Sequence, residues 1–282
     1  MENAQRPTMR SRKLGQRLRA IREERGLTLQ QAARVLNRTP SSLSKLETGK
    51  RGIRRPALEN MLDRYGYADP VQRAALFDLA RHTTAKGWWY RYEGKLSPSM
   101  LDYISLEAEA RSIRSFQLHL IPGLLQTVNY ARAVIASGIS QGMEPDIDGL
   151  TEIRMRRQKI LFKEGGPGLW AIVCEAALRQ EFGGPGVLKG QLRNLVELSK
   201  LPNVTLQVLP YSAGAHPGHN GSFTTLRSDE LSVVLVENLT SGWYLENPDD
   251  IRRHDVVFDH LRSAALSPDD SRSFIERLIS ES

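Results

Sequence analysis

Between Leu14 and Leu79 apolar residues recur every three or four positions, in five groups set apart by polar or glycine-containing breaks. The groups are Leu14, Leu18 and Ile21; Leu29, Ala32, Ala33 and Leu36; Leu43 and Leu46; Leu58, Met61, Leu62 and Tyr65; and Val71, Ala75, Leu76 and Leu79. That is the period of short helices that each bury one face. The breaks carry start and stop signals: Gly26 and Gly66 end the first and fourth helices, and Thr28 opens the second with Gln31 placed for a capping box. Thr39 opens the third as an N-cap, followed by Pro40 at N1, where a missing N–H leaves no hydrogen bond unmade.

From about residue 97 the pattern becomes mixed. Leu106, Ala110 and Ile113 continue a helix, after which Phe116, Leu118 and Leu120 alternate with Ser115, Gln117 and His119 as in a strand. Pro122-Gly123 turns the chain. Helices are expected through Tyr130, Val134 and Ile135 and through Ile147, Leu150, Ile153 and Ile160, the latter strongly cationic with Arg154, Arg156, Arg157, Lys159 and Lys163. Such a helix ordinarily presents a solvated face, with DNA or an acidic partner as the alternatives. Strands follow at 169–174 and at Val204, Leu206 and Val208, separated by a helix through Leu188, Leu192, Leu195 and Val196. The runs 221–226 and 231–237 read as a hairpin. Two helices, 251–265 and 268–279, close the chain.

The expected fold class is therefore an all-α five-helix domain followed by a mixed α/β domain. We divide it into a flexible basic arm over 1–12, the helical domain over 13–82, an aromatic-rich connection over 83–100 and the α/β domain over 101–282. In the connection, Trp88 and Tyr92 are expected to anchor a core, because aromatic side chains bury the most area. A length of 282 residues accommodates both cores.

Charge sharpens this division. Residues 1–70 hold 16 Lys and Arg against 7 Asp and Glu, whereas the remainder holds 23 against 25. The basic excess thus belongs to the helical part, as expected of a nucleic-acid-binding module joined to a neutral one. The single cysteine, Cys174, lies in an apolar run and can build neither a disulfide nor a zinc site alone. No run of about 18 apolar residues occurs and the first residues lack an apolar core, so a cytoplasmic location without membrane contact is expected.

The candidate chemistry lies on the third helix. With Leu43 and Leu46 turned inward, Pro40, Ser41, Ser42, Ser44 and Lys45 remain outside. Small residues let the backbone approach base edges, and Lys45 one turn later reaches into a major groove. Pro40, Ser41 and Lys45 are the expected base-reading positions. Thr39 and Ser42, at the helix start, are expected on phosphates, joined by Lys50, Arg51, Arg54 and Arg55 from the loop that follows. Arg6, Arg10 and Arg12 could supply a minor-groove or backbone arm, or simply belong to a free terminus. Periodicity alone fits a plain helical bundle equally well.

The block Ser44-Lys45-Leu46-Glu47-Thr48-Gly49, with Thr28 and Ala32-Ala33, resembles the Xre-type helix-turn-helix family over about residues 12–66. The resemblance implies a five-helix domain whose helix from Thr39 to Thr48 enters double-stranded DNA. It also implies that Glu47 ties that helix to its neighbours and that Gly49 ends it. Glycine suits that position, since it enters left-handed backbone space without a Cβ penalty.

In the second half, the loop 211–221 is the best candidate for a ligand or partner site, through Tyr211, His216, His219 and Phe223. Two histidines do not make a metal site, and the two Gly-Gly-Pro-Gly stretches lack the pattern of a phosphate or dinucleotide loop. No cofactor or metal is implied. A second resemblance rests on Trp88-Trp89, Leu106-Glu107-Ala108-Glu109-Ala110, the string Ile121-Pro122-Gly123-Leu124-Leu125-Gln126-Thr127 with Tyr130-Ala131, Arg156-Arg157-Gln158, Gln191-Leu192 and Val208-Leu209-Pro210. These residues are similar to a family of actinobacterial regulators, WhiJ-like and in part antitoxin-like, that join an Xre-type domain to a large C-terminal domain. That likeness implies a transcriptional regulator, expected to repress as a homodimer on a palindromic operator and to be modulated by a small partner protein encoded nearby. A small-molecule sensor and an enzyme with a DNA-binding tether are the rival readings, and no nucleophile and base can be named for the latter.

Overall fold

The computed structural model describes residues 8–84, 87–92, 94–138, 146–229, 231–237 and 242–281. The chain divides into two compact units, Met1–Asp102 and Tyr103–Ser282.

The first unit holds helices α1 (Met9–Glu24), α2 (Leu29–Val35), α3 (Pro40–Glu47), α4 (Arg55–Arg64) and α5 (Pro70–Thr84), followed by a 3₁₀ turn at Trp88–Tyr92. The five apolar groups converge as the sequence pattern requires. Leu14, Leu18, Ile21, Ala32, Ala33, Leu43, Leu46, Leu58, Met61, Leu62, Leu76 and Leu79 are all buried in one core. Caps form where expected: Thr28 and Gln31 make a complete capping box, and the Thr39 hydroxyl accepts from Ser42 N–H. In the 3₁₀ turn Tyr92 is buried as expected, but its buried companion is Trp89, while Trp88 is half-buried and packs edge-on against both.

The N-terminal boundary differs from the expectation. Helix α1 starts at Met9, because Thr8 caps it through a hydrogen bond from Ser11 N–H. Arg10 and Arg12 are therefore helical, and Arg10 is buried, which removes it from any mobile arm. Arg6 lies outside the described residues.

The second unit is built on a six-stranded sheet, in the order β3-β2-β1-β4-β5-β6. Its strands are β1 (Ser112–Gln117), β2 (Gly168–Cys174), β3 (Val204–Leu209), β4 (Phe223–Arg227), β5 (Ser232–Glu237) and β6 (Gly242–Leu245). Strands β1, β2 and β3 run parallel, whereas β1-β4, β4-β5 and β5-β6 are antiparallel. Parallel neighbours need crossover connections. Here α7 (Val128–Ser137) and α8 (Ile147–Gln158) lie between β1 and β2, and α9 (Glu175–Arg179) and α10 (Pro185–Leu198) between β2 and β3. The last two helices are α11 (Pro248–Ala264) and α12 (Pro268–Glu281). On one sheet face, Phe258 and Leu261 of α11 pack with Phe116, Ile172, Phe223 and Val234.

The helix α6 (Pro98–Ala108) ends earlier than its apolar spacing suggests, and Ile113 belongs to β1. Parallel pairing with β2 fixes this start, Ser112 lying opposite Gly168. Leu118 and Leu120 accordingly fall beyond the strand. Strand β6 and helix α9 were not legible, being four and five residues long.

Candidate nucleic-acid interface

Helix α3 is held in place from three sides. Its inner face buries Leu43 and Leu46. At its C-terminal end, Glu47 accepts from Arg22 of α1 through both oxygens, Nε at 2.7 Å and Nη2 at 2.9 Å, with both side chains about nine-tenths buried. The same guanidinium donates to the Leu27 carbonyl at 2.8 Å. Beyond it, Gly49 has φ +72°, and a Cβ there would lie 2.6 Å from Arg12 N. Gly15 is a second close approach, since its Cβ would meet the Glu47 carbonyl oxygen at 2.5 Å. Arg22 carried no sequence signal beyond being one of several cations near the end of a helix.

The outer face is the one expected from the sequence. Pro40, Ser41 and Lys45 are exposed, and Lys50, Arg51, Arg54 and Arg55 continue the exposed surface in the loop and the first turn of α4. Two details alter the roles assigned to individual residues. The Arg55 guanidinium lies over the Phe77 ring, 5.0 Å from its centroid, so it is steadied by α5. Ser42 is half-buried, its N–H donates to Thr39 Oγ1 at 3.2 Å, and its hydroxyl accepts from Arg51 Nη1 at 3.1 Å. Thr39 and Ser42 each keep an O–H that can donate to a phosphate.

Tyr65 packs below this frame. Burial and, next, the Glu47 carboxylate push its phenol up to about 12. Its buried hydroxyl finds no hydrogen-bond partner among the described residues. Removing such a group relieves a desolvation cost, so Tyr65→Phe should gain about 1 kcal/mol in urea unfolding at neutral pH. The folded phenol stays neutral while the unfolded one ionises, so this group's contribution is intact below pH 10 and is lost as pH rises towards 12. Tyr65→Phe should remove that part of the alkaline loss, whereas a lower stability of the variant at neutral pH would show that the hydroxyl is bonded.

Residues 13–76 match a family described as a helix-turn-helix domain, which defines the first unit as a DNA-binding module. Residues 100–277, nearly two thirds of the chain, match the family described as domain of unknown function (DUF5753), and the chain belongs to that family. It is also similar to the HTH-type transcriptional repressor RghR of Bacillus subtilis (strain 168), with 30% identity over 128 residues, covering 35% of this chain and 95% of that protein. No solved structure matches the chain significantly. The protein is a DNA-binding transcriptional regulator with a C-terminal α/β domain.

In that second domain, the candidate loop does not assemble as expected. Phe223 is buried in β4 within the core, because β4 pairs with β1 and turns Phe223 towards Phe116 and Phe258. It cannot line a surface site. His216 packs edge-on against Phe116, and His219 Nδ1 lies 3.0 Å from the His216 carbonyl oxygen. Tyr211 is exposed and its N–H donates to Glu175. Among the described residues no group of three or more His, Cys, Asp or Glu is placed to hold a metal, and no helix is long and apolar enough to cross a membrane. Cys174 is buried, and burial pushes its thiol up to about 11, which keeps it protonated and unreactive at neutral pH.

Several of the residues that carry the second resemblance, Glu107, Ile121–Thr127, Arg157, Gln158 and Gln191, meet at one place in the C-terminal domain. The segment Ile121–Thr127 follows the sheet as a loop around one 3₁₀ turn, Gly123–Leu125, and side chains satisfy its carbonyls. Gln126 donates to Ile121 O at 2.7 Å, and Gln158 donates to both Gly123 O and Gln126 O, at 3.0 and 2.6 Å. Gln191 donates to Leu125 O at 2.8 Å while its own oxygen accepts from Thr127 N–H at 2.6 Å. Next to them Arg157 makes a two-pronged pair with Glu107, at 2.7 and 2.8 Å, and lies over the Tyr103 ring. The cationic face expected on α8 is thus partly internal, since Arg157 is buried and Arg154 donates to Gln126 Oε1. These residues build a scaffold: the glutamines supply the donors that the segment's carbonyls require, and the arginines hold Glu107 and the Gln126 side chain.

Proposed function

We propose that this protein is an Xre-type repressor of the WhiJ-like, antitoxin-like kind, binding a palindromic operator as a homodimer. The observation that carries the reading is the exposed, unencumbered outer face of α3, rigidly mounted through Arg22–Glu47 and flanked by Lys50, Arg54 and Arg55. Pro40, Ser41 and Lys45 read base edges, and Thr39 and the loop cations hold phosphates. Repression is supported by the similarity to a protein named as a transcriptional repressor. Pairing of two copies follows from economy: one helix contacts only a few base pairs, and a two-fold dimer doubles the contacts on matching half-sites. The C-terminal domain provides dimerisation and receives a small partner protein, a role supported by the resemblance carried by its scaffold residues.

Lys45→Ala tests the reading. With a duplex selected by the wild-type chain from a random pool, the variant should lose about 1–3 kcal/mol in fluorescence anisotropy while binding scrambled duplex almost unchanged. Equal loss on both duplexes would move Lys45 to the phosphates, and absence of any selected sequence would remove the regulator reading itself.

A further inference from the structure

We propose that Arg51 reads a guanine in the major groove and that Ser42 positions it, rather than both gripping phosphates. The proposal rests on the operator-binding reading and deepens it by naming a base and a second reading side chain.

Three observations carry it. Arg51 follows the Gly49 turn, yet the chain folds back so that its N–H donates to the Lys45 carbonyl at 3.0 Å. Its guanidinium then extends along α3 to the first turn, where Nη1 donates to Ser42 Oγ at 3.1 Å. Ser42 and Lys45 are three residues apart on the helix, so Arg51 is fastened at both ends to the flank of the face that carries Ser41 and Lys45. A cation meant for a phosphate needs no such fixing, since an ammonium or guanidinium finds a phosphate oxygen from many directions.

The remaining chemistry agrees. Arg51 is exposed, and no carboxylate among the described residues pairs with it, in contrast to Arg22, Arg73 and Arg157. One donor of five is engaged by Ser42, which leaves the fork available. A planar guanidinium donates two parallel hydrogen bonds to guanine O6 and N7, an arrangement that no other base offers in the major groove. The guanidinium only donates, and the Ser42 hydroxyl oxygen is the acceptor that holds it.

The test separates fork from charge. The full-length wild type, Arg51→Lys and Ser42→Ala are each used to select from a randomised duplex pool, and the bound sequences are compared position by position. Arg51→Lys retains the positive charge and should keep the affinity for scrambled duplex and the salt dependence, yet lose a guanine preference of roughly five- to 150-fold at one position in each half-site, with affinity for the selected duplex falling accordingly. Ser42→Ala should weaken that same preference and leave the other positions as they were. Unchanged preferences in Arg51→Lys would overturn the proposal and return Arg51 to the phosphates. If Ser42→Ala weakens a different position, the positioning role fails. If the wild type selects no sequence at all, the operator-binding reading falls together with it.

Discussion

Glu47→Ala should destabilise the N-terminal unit towards the lower end of about 3–5 kcal/mol, because it removes the buried carboxylate of Arg22 and leaves only the half-exposed Glu23, 3.4 Å from Nη2, as a counter-charge. The Arg22 and Glu47 side chains are both about nine-tenths buried, so little solvent screening offsets the loss. Of the Arg22 donors, Nη1 keeps the Leu27 carbonyl, whereas Nε and Nη2 lose the carboxylate. A guanidinium is too basic to shed its proton in a folded protein, so Arg22 cannot relieve the loss by becoming neutral. The unit should unfold at a clearly lower urea concentration and DNA binding should weaken with it, as α3 loses its anchor to α1. A loss below about 1 kcal/mol would mean that water replaces the carboxylate and that the pair does not hold the helix.

Glu107→Ala should produce a loss of the same size in the other unit. The Arg157–Glu107 pair joins α6 to α8, with the arginine also over Tyr103 and beside Gly123, where a Cβ would lie 3.7 Å from Nη2. Removing the carboxylate leaves a buried cation in the middle of the glutamine-lined scaffold, at a cost of about 3–5 kcal/mol. Since the two units are compact separately, calorimetry should show the C-terminal transition moving down while the N-terminal one stays in place. The reverse pattern, or a joint shift of both, would contradict that assignment. Replacing both residues by apolar ones of similar volume should recover much of the loss, because the pair itself adds little over good packing.

Much of the first unit was legible because each of its helices announces itself locally. The spacing of Leu14, Leu18 and Ile21, the Thr28–Gln31 box and the Thr39-Pro40 start are all read within a few residues, and the structure forms each of them. Most of what escaped depends on distant partners. Arg22 matters only through Glu47, and the reach of Arg51 back to Ser42 is set by the turn after Gly49; the Thr8 cap that puts Arg10 and Arg12 in α1 is local and was overlooked. In the second unit the same limit appears more strongly. Phe223 looked accessible in a glycine-rich neighbourhood, but the register of β4 against β1 turns it into the core. The cationic stripe of α8 looked solvated until Glu107, fifty positions away, claimed Arg157. The resemblance residues gave the more reliable guide there: Gln126, Gln158 and Gln191 meet around the 3₁₀ turn Gly123–Leu125, which local periodicity could not reveal.

The most direct test of a base-reading α3 is a footprint of the full-length protein on a duplex that it has selected, with methylation of guanine N7 as the major-groove probe and of adenine N3 as the minor-groove probe. Interference is expected in the major groove at two half-sites about 10–10.5 base pairs apart, or a multiple of that spacing, with phosphate protection flanking each. Interference confined to the minor groove, or phosphate protection without any base position, would contradict a base-reading role for α3.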